Sequence, residues 1–413
     1  MKPSSQLTLA TVLGGAALAS LVLRVCLKPI LQLRATNLIT RMLTDADIVI
    51  GRDIAVHDDS IFLDWASRGM LGIGESYMAG KWDAIHPLDQ VLTRLLTLPS
   101  AKKRQLFKSW NARFVHLATR IFNFQSQSRA GMVGAYHYDL GNDFFKLWLD
   151  EHHMQYSCGY FKSVADPFDL EAAQENKLRM IAEKLKLEPG MRVLDIGCGW
   201  GGLACYLAKH HGVHVTGITI SNEQLKGARE RAARDGITHL TKFEYRDYRE
   251  ITNKVFDRVV SIAMIEAVGY KNLDAYFAVV ARCLTDKDGI AIVHGTAANR
   301  SLKVPIELWM LRYIFPNGFV PSIAQTLAFA SQNGLVVEDV HNFGPDYEKT
   351  LLCWNARFQR HVGSGGAIQR PKTFVRMWEF YLLYCAAGFR TRVTQLSQVV
   401  FTKKRAARYD TVR

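Results

Sequence analysis

The sequence predicts an α/β fold, a parallel sheet with helices over both faces, and three observations carry that prediction. From about Pro189 onward, short apolar runs alternate with helical patterns, as parallel strands joined by crossover helices do. The first run, Arg192–Ile196, opens directly into a turn with four glycines within six residues, Gly197 to Gly202. Polar residues able to do chemistry then fall at the ends of successive strands, where an open α/β sheet keeps its ligand crevice.

The chain begins with seventeen uncharged residues, Leu7–Leu23, followed by Arg24, Lys28 and Arg34. That is slightly short for a membrane span of about 20 residues. A signal peptide fits poorly, because only Lys2 precedes the run and Arg24 falls in the expected cleavage zone. Residues 1–34 therefore read as an apolar segment that anchors the chain in a membrane or lies in its interface, with a buried helix as the rival reading. The basic residues after the run would leave everything else in the cytoplasm.

Residues 35–90 read as a small mixed unit with Asp and Gly turns. Within it, Met70 to Trp82 is too rich in glycine and aromatics for a plain helix, so a turn-and-strand role is expected. From Val91 to Tyr138 there are eight Lys or Arg residues and no Asp or Glu. Leu106, Phe107, Trp110, Phe114, Leu117, Ile121 and Phe122 recur there at three- and four-residue steps. A basic amphipathic helix of this kind suits an anionic membrane surface, with Lys103, Arg104, Lys108, Trp110 and Phe114 as candidate lipid contacts. The alternative is a core-facing helix that is basic outside. Nucleic acid is disfavoured, since the aromatics follow helical spacing rather than a strand platform. The boundaries drawn are 1–34, 35–130, 131–405 and a basic tail, 406–413.

In the C-terminal part the pattern predicts a helix near Leu203–His210, a strand Val213–Ile220, and a helix from about Asn222 to Asp235. Three further strands are expected, at Phe243–Tyr245, Asp257–Ile262 and Ile290–His294. Gly197 and Gly199 follow the first strand, Thr219 the second, Tyr245 to Asp247 the third and Glu266 the fourth, while His294 lies on the fifth.

Composition bounds the function. With 413 residues, 48% hydrophobic and 22% charged, the chain can build two or three ordinary globular domains. Seven scattered cysteines with no C-x-x-C pair give neither a disulfide framework nor a zinc site. The net charge of +14 leaves anionic lipid and nucleic acid as candidate partners.

The spacing Asp195-x-Gly197-x-Gly199, without G-x-G-x-x-G, resembles the first motif of S-adenosylmethionine-dependent methyltransferases. Further segments resemble one family in particular, the cyclopropane-fatty-acyl-phospholipid synthases and mycolic acid methyltransferases. They are His137-Tyr138-Asp139-Leu140-Gly141-Asn142-Asp143, Met154-Gln155-Tyr156-Ser157-Cys158, Thr219-Ile220-Ser221-x-x-Gln224 and Tyr313-Ile314-Phe315-Pro316-Asn317-Gly318. Asn342 to Tyr347 and Tyr384 to Arg390 continue the series, and the Gly74 to Met78 patch looks like the N-terminal domain of the bacterial synthases. The resemblance covers roughly residues 40–405.

It implies a Rossmann-like class I methyltransferase fold with a helical cap, plus a small N-terminal lipid-binding domain. It also implies S-adenosylmethionine as cofactor, held by Tyr156, Ser157, Asp195, Gly197, Gly199, Thr219, Gln224, Tyr245 and Arg246. The implied substrate is the cis double bond of unsaturated acyl chains in a phospholipid bilayer at the inner face of the membrane. A homodimer is the candidate assembly. An alkene is a feeble nucleophile, so the donor must be a sulfonium, and water must be kept from the carbocation that follows. A bound bicarbonate is the family's base for ring closure, with Glu266, His294, Tyr347, Cys158 and backbone near Thr296 at the matching positions. Cys385 matches a cysteine sometimes proposed as catalytic, but this chemistry needs no covalent thiol intermediate, so a packing role is preferred.

Two short stretches depart from the family pattern. Ile265-Glu266-Ala267 stands where bacterial relatives often have Phe-Glu-His, and Gly295-Thr296 follows His294 in place of Thr-Ile. The glutamate and the histidine are retained. Methylation without ring closure, and methylation of a small amine, are the competing activities. The basic aromatic stretch argues against the amine.

Overall fold

The computed structural model describes residues 28–99, 123, 125, 140–252, 255–303, 306–362, 370–403 and 409–411. The apolar run Leu7–Leu23 and the candidate lipid contacts Lys103, Arg104, Lys108, Trp110 and Phe114 lie outside the described residues. The chain divides into two compact units, residues 1–112 and 113–413.

The first unit contains helices α1 (Lys28–Asp45), α2 (Ser60–Arg68), α3 (Met70–Met78) and α4 (Leu88–Thr97). A two-stranded antiparallel ribbon, β1 (Ile54–Val56) with β2 (Trp82–Ala84), accompanies them. Helix α4 buries Leu88, Val91, Leu92, Leu95 and Leu96, an i, i+3, i+4, i+7 stripe. The stretch expected to avoid helix is largely helical, since Met70–Met78 is α3. Tertiary packing explains the reversal. A Cβ on Gly72 would stand 2.1 Å from the Asp64 carbonyl oxygen, so α3 lies closer to α2 than any other residue allows. The indoles of Trp65 and Trp82 both donate to the Ser76 hydroxyl, at 2.9 and 3.1 Å. Such contacts outweigh the cost of about 1 kcal/mol for a glycine inside a helix.

The second unit is built on a seven-stranded sheet in the order β5-β4-β3-β6-β7-β9-β8. Strands β3 (Arg192–Ile196), β4 (His214–Thr219), β5 (Thr241–Tyr245), β6 (Arg258–Ile262) and β7 (Ile290–Ala298) run parallel, as expected. Neighbouring residues on β3 face opposite ways. Val193 joins a core with α6 (Leu170–Leu185), α7 (Gly202–His211) and α8 (Asn222–Arg234). Leu194 joins a second core with α9 (Leu273–Cys283).

Two strands beyond the five expected, β8 (Leu335–His341) and β9 (Thr394–Lys403), make the sheet mixed. Strand β9 runs antiparallel to both β7 and β8. Helices α12 (Gly344–Val362) and α13 (Lys372–Arg390) intervene between these two strands and pack on each other. Thr394, the first residue of β9, pairs with Ala298, the last of β7. The chain thus re-enters the sheet at the carboxyl edge and can only run downward. Both helices consequently begin or end at that edge, where the site lies. The other helices among the described residues of this unit are α5 (Asn142–Lys146), α10 (Leu308–Tyr313) and α11 (Ile323–Gln332).

Candidate active site

The glycine turn closes β3 against its neighbours and opens a cavity above them. Gly197 has φ +83°, and a Cβ there would stand 2.9 Å from the Met264 side chain, so the turn needs the residue without one. A Cβ on Gly202 would stand 2.0 Å from the His153 carbonyl oxygen. This brings the segment 153–158 onto the start of α7. Two residues with side chains, Met154 and Ala263, hold the left-handed conformation at φ 50° and 54°, and both line the cavity. Backbone in that region is uncommon and gathers at functional sites.

The same cavity is lined by Tyr156, Ser157, Asp195, Gly197, Gly199, Thr219, Gln224 and Arg246. The residues singled out from sequence thus come from three strand ends and one loop to a single space. Tyr245 is the departure. It is 52% exposed and stands outside the lining, because the strand's alternation turns its neighbour Arg246 inward. Asp195 is 2% exposed, and its Oδ2 has no partner among the described residues. Burial pushes its carboxyl up to about 7, against the pull of Lys177. Thr219 donates to Gln224 Oε1 at 2.8 Å, which holds both across the first turn of α8. Gln125, Trp200, Met264 and Arg249 also line the cavity and were not expected. The Gln125 carbonyl accepts from Arg249 at 3.2 Å and from Asn272 at 3.0 Å.

A second group of polar side chains lies beside Tyr156. The Tyr156 and Tyr381 hydroxyls are 2.7 Å apart, and the Tyr156 ring packs on Phe145, Trp148 and Trp354. Burial pushes the Tyr347 hydroxyl well up, and the nearby Cys158, Glu266, Tyr156 and Cys385 add to the shift. Cys158, Glu266 and Cys385 therefore all lie within electrostatic reach of Tyr347. Glu266 follows β6 in a short 3-10 turn. Its Oε1 accepts from the Thr296 backbone N–H at 2.6 Å, while Oε2 is buried without a partner among the described residues. Burial raises the Glu266 carboxyl, and the Thr296 N–H opposes the rise.

His294 sits on β7, adjacent to β6, but its ring turns toward Phe343 and Gln398, whose Nε2 is 3.3 Å from Nδ1. Its Nε2 is buried and unpartnered among the described residues, and burial holds the imidazole neutral by pushing its pKa well down. No hydrogen bond joins it to Glu266. Both thiols are kept protonated by burial, Cys158 well above its ordinary value and Cys385 pushed up to about 12.

Residues 125–399 match the family model described as mycolic acid cyclopropane synthetase. The chain belongs to this family. It is 46% identical over 351 residues to the cyclopropane-fatty-acyl-phospholipid synthase of Escherichia coli K12, covering 85% of this chain and 88% of that one. It is 35% identical to the tuberculostearic acid methyltransferase UfaA1 of Mycobacterium tuberculosis, over 78% of this chain and 77% of the relative. The solved mycolic acid cyclopropane synthase CmaA1, complexed with SAH and CTAB, superposes with a TM-score of 0.61 at 31% identity. That match covers 66% of this chain and 98% of the solved one.

The stretches Ile265-Glu266-Ala267 and Gly295-Thr296 meet in space. A Cβ on residue 295 would stand 2.5 Å from Ile265 Cγ2 and 3.2 Å from Glu266 Oε2. The absence of a side chain at Gly295 therefore leaves room for the branched Ile265 and for the Glu266 carboxylate against β7.

Proposed function

We propose that the chain transfers a methylene group from S-adenosylmethionine to the cis double bond of unsaturated acyl chains in membrane phospholipids. The observation that carries the reading is a cavity with the motif and polar lining of a methyltransferase. One of its lining residues, Tyr156, packs among aromatic rings and acts on the buried Tyr347 together with Glu266 and Cys158. When bound, S-adenosylmethionine supplies an electrophilic methyl group. The unpartnered Asp195 Oδ2 fits the cofactor's ammonium, and Thr219 and Gln224 fit its ribose hydroxyls. Tyr156, Trp148, Trp354 and Tyr381 keep water from the reacting carbons and offer ring faces to a developing carbocation.

Bicarbonate is the base in this reading. The buried, unpartnered Glu266 Oε2 and His294 Nε2 are polar atoms such an ion would satisfy, and the Tyr347 hydroxyl can donate to it. Its chemistry is to accept the proton lost as the ring closes. The first unit, with the basic residues beyond it, brings the chain to the inner face of a bilayer in this reading, with a homodimer as the assembly.

Methylation without ring closure is the second reading, favoured by the 35% identity to a relative named as a methyltransferase. One experiment separates the two. Purified chain is incubated with methyl-labelled S-adenosylmethionine and vesicles of unsaturated phospholipid, and the acyl chains are analysed by mass. A gain of CH2 with a cyclopropane fragmentation pattern is expected. A saturated methyl branch or a methylene branch would favour the second reading, and no label in acyl chains would exclude both.

A further inference from the structure

Helix α6 carries two lysines on its inward face, Lys177 and Lys184, both 0% exposed. Lys184 is paired with Asp339 at 3.2 Å. Lys177 Nζ instead donates to Ser157 Oγ at 2.9 Å and to Gln155 Oε1 at 2.5 Å. Both acceptors line the cavity, and Lys177 stands one residue behind them. One turn earlier on the same face, Gln174 Nε2 donates to the Ser157 carbonyl at 2.9 Å.

A hydroxyl that accepts from an ammonium must send its own hydrogen elsewhere. No described residue takes the Ser157 hydrogen, and the open side of that hydroxyl is the cavity. We propose that Lys177 is a positioning residue, fixing the Ser157 hydroxyl as a donor toward the carboxylate of the cofactor's amino-acid end and setting a positive charge behind it. The inference rests on the reading that the cavity takes S-adenosylmethionine. It also accounts for a lysine buried where the helix periodicity calls for an apolar side chain.

The test compares two ligands by calorimetry, S-adenosylhomocysteine and its decarboxylated analogue S-adenosyl-3-thiopropylamine. They differ only in the carboxylate, so the ratio of their affinities reads its recognition alone. In a folded Lys177→Met variant that ratio should fall roughly tenfold to a hundredfold, the range of a hydrogen bond to a charged group. An unchanged ratio, with both ligands weakened alike or neither weakened, would overturn the proposal and leave Lys177 a structural residue.

If Lys177→Met does not fold, the wild-type ratio decides. Burial brings Lys177 down to about 7, against the pull of Asp150, Cys158 and Asp195, and it also faces His294. The direct action of Asp195 on the ammonium that both ligands share divides out of the ratio. Below pH 7 Lys177 is already charged. Above it, a bound carboxylate must draw a proton onto the amine, so the ratio should fall severalfold by about pH 9. A flat ratio overturns the proposal. Failure of the wild type to bind either ligand would instead overturn the cofactor reading.

Discussion

Glu266 is the residue on which the proposed chemistry turns. One carboxylate oxygen is fixed by the Thr296 N–H and the other faces its neighbours unpartnered, the arrangement of a side chain held ready for a ligand. Glu266→Gln keeps the shape and removes the charge. Turnover in the vesicle assay should fall roughly a hundredfold to a thousandfold, as for loss of one preorganised electrostatic group, while S-adenosylhomocysteine affinity changes little. Lowered stability with near-normal turnover would make it a packing residue. Cys385 is expected to behave oppositely. With its thiol pushed up to about 12, it carries no thiolate at neutral pH, and Cys385→Ser should keep turnover within about threefold in the same assay.

At the scale of elements, the helices are held by contacts that reverse local preference. Helix α3 exists because Gly72 admits the Asp64 carbonyl oxygen. Gly72→Ala improves helix propensity and should still destabilise, by about 1–3 kcal/mol for the forced displacement, read as a lower midpoint in urea. Helix α6 is tied to β8 by Lys184 and Asp339, whose side chains are 0% and 1% exposed. Asp339→Asn removes the carboxylate and leaves the buried ammonium with the neutral contact to His341 Nδ1 at 3.2 Å, and the expected loss is about 3–5 kcal/mol. Thermal unfolding followed by circular dichroism would measure it. A loss below about 1 kcal/mol would mean that the lysine reaches water or another acceptor.

At the scale of the whole molecule, the question is how the chain meets a bilayer. The run from Val91 to Tyr138 has no acid to oppose its eight basic residues, and the net charge is +14. Sedimentation of the full chain should be stronger with anionic than with neutral vesicles. The difference should shrink as salt rises from 0.1 to 1 M, because the screening length drops from about 10 to about 3 Å. Equal sedimentation at all salt concentrations would assign attachment to the apolar segment Leu7–Leu23 instead.

The sequence by itself determined the parallel strands, the order of the site along them and the family. Each depends on local pattern, on apolar runs of strand length, on glycines where the backbone turns left-handed, and on motifs continuous in the chain. Tertiary structure alone decided the rest. That α3 is a helix follows from a carbonyl 2.1 Å from where a Cβ would be, a distance set between two helices. The antiparallel course of β9 follows from where α12 and α13 return the chain. The inward turn of Lys177 was half legible, since Gln174, Lys177, Ile181 and Lys184 fall at helical steps on one face. What it touches was not, because Gln155 and Ser157 reach it only when the loop before α6 folds back over the sheet edge. Tyr245 and Arg246 are adjacent in sequence, and only the pleat of β5 decides which of them faces the cavity.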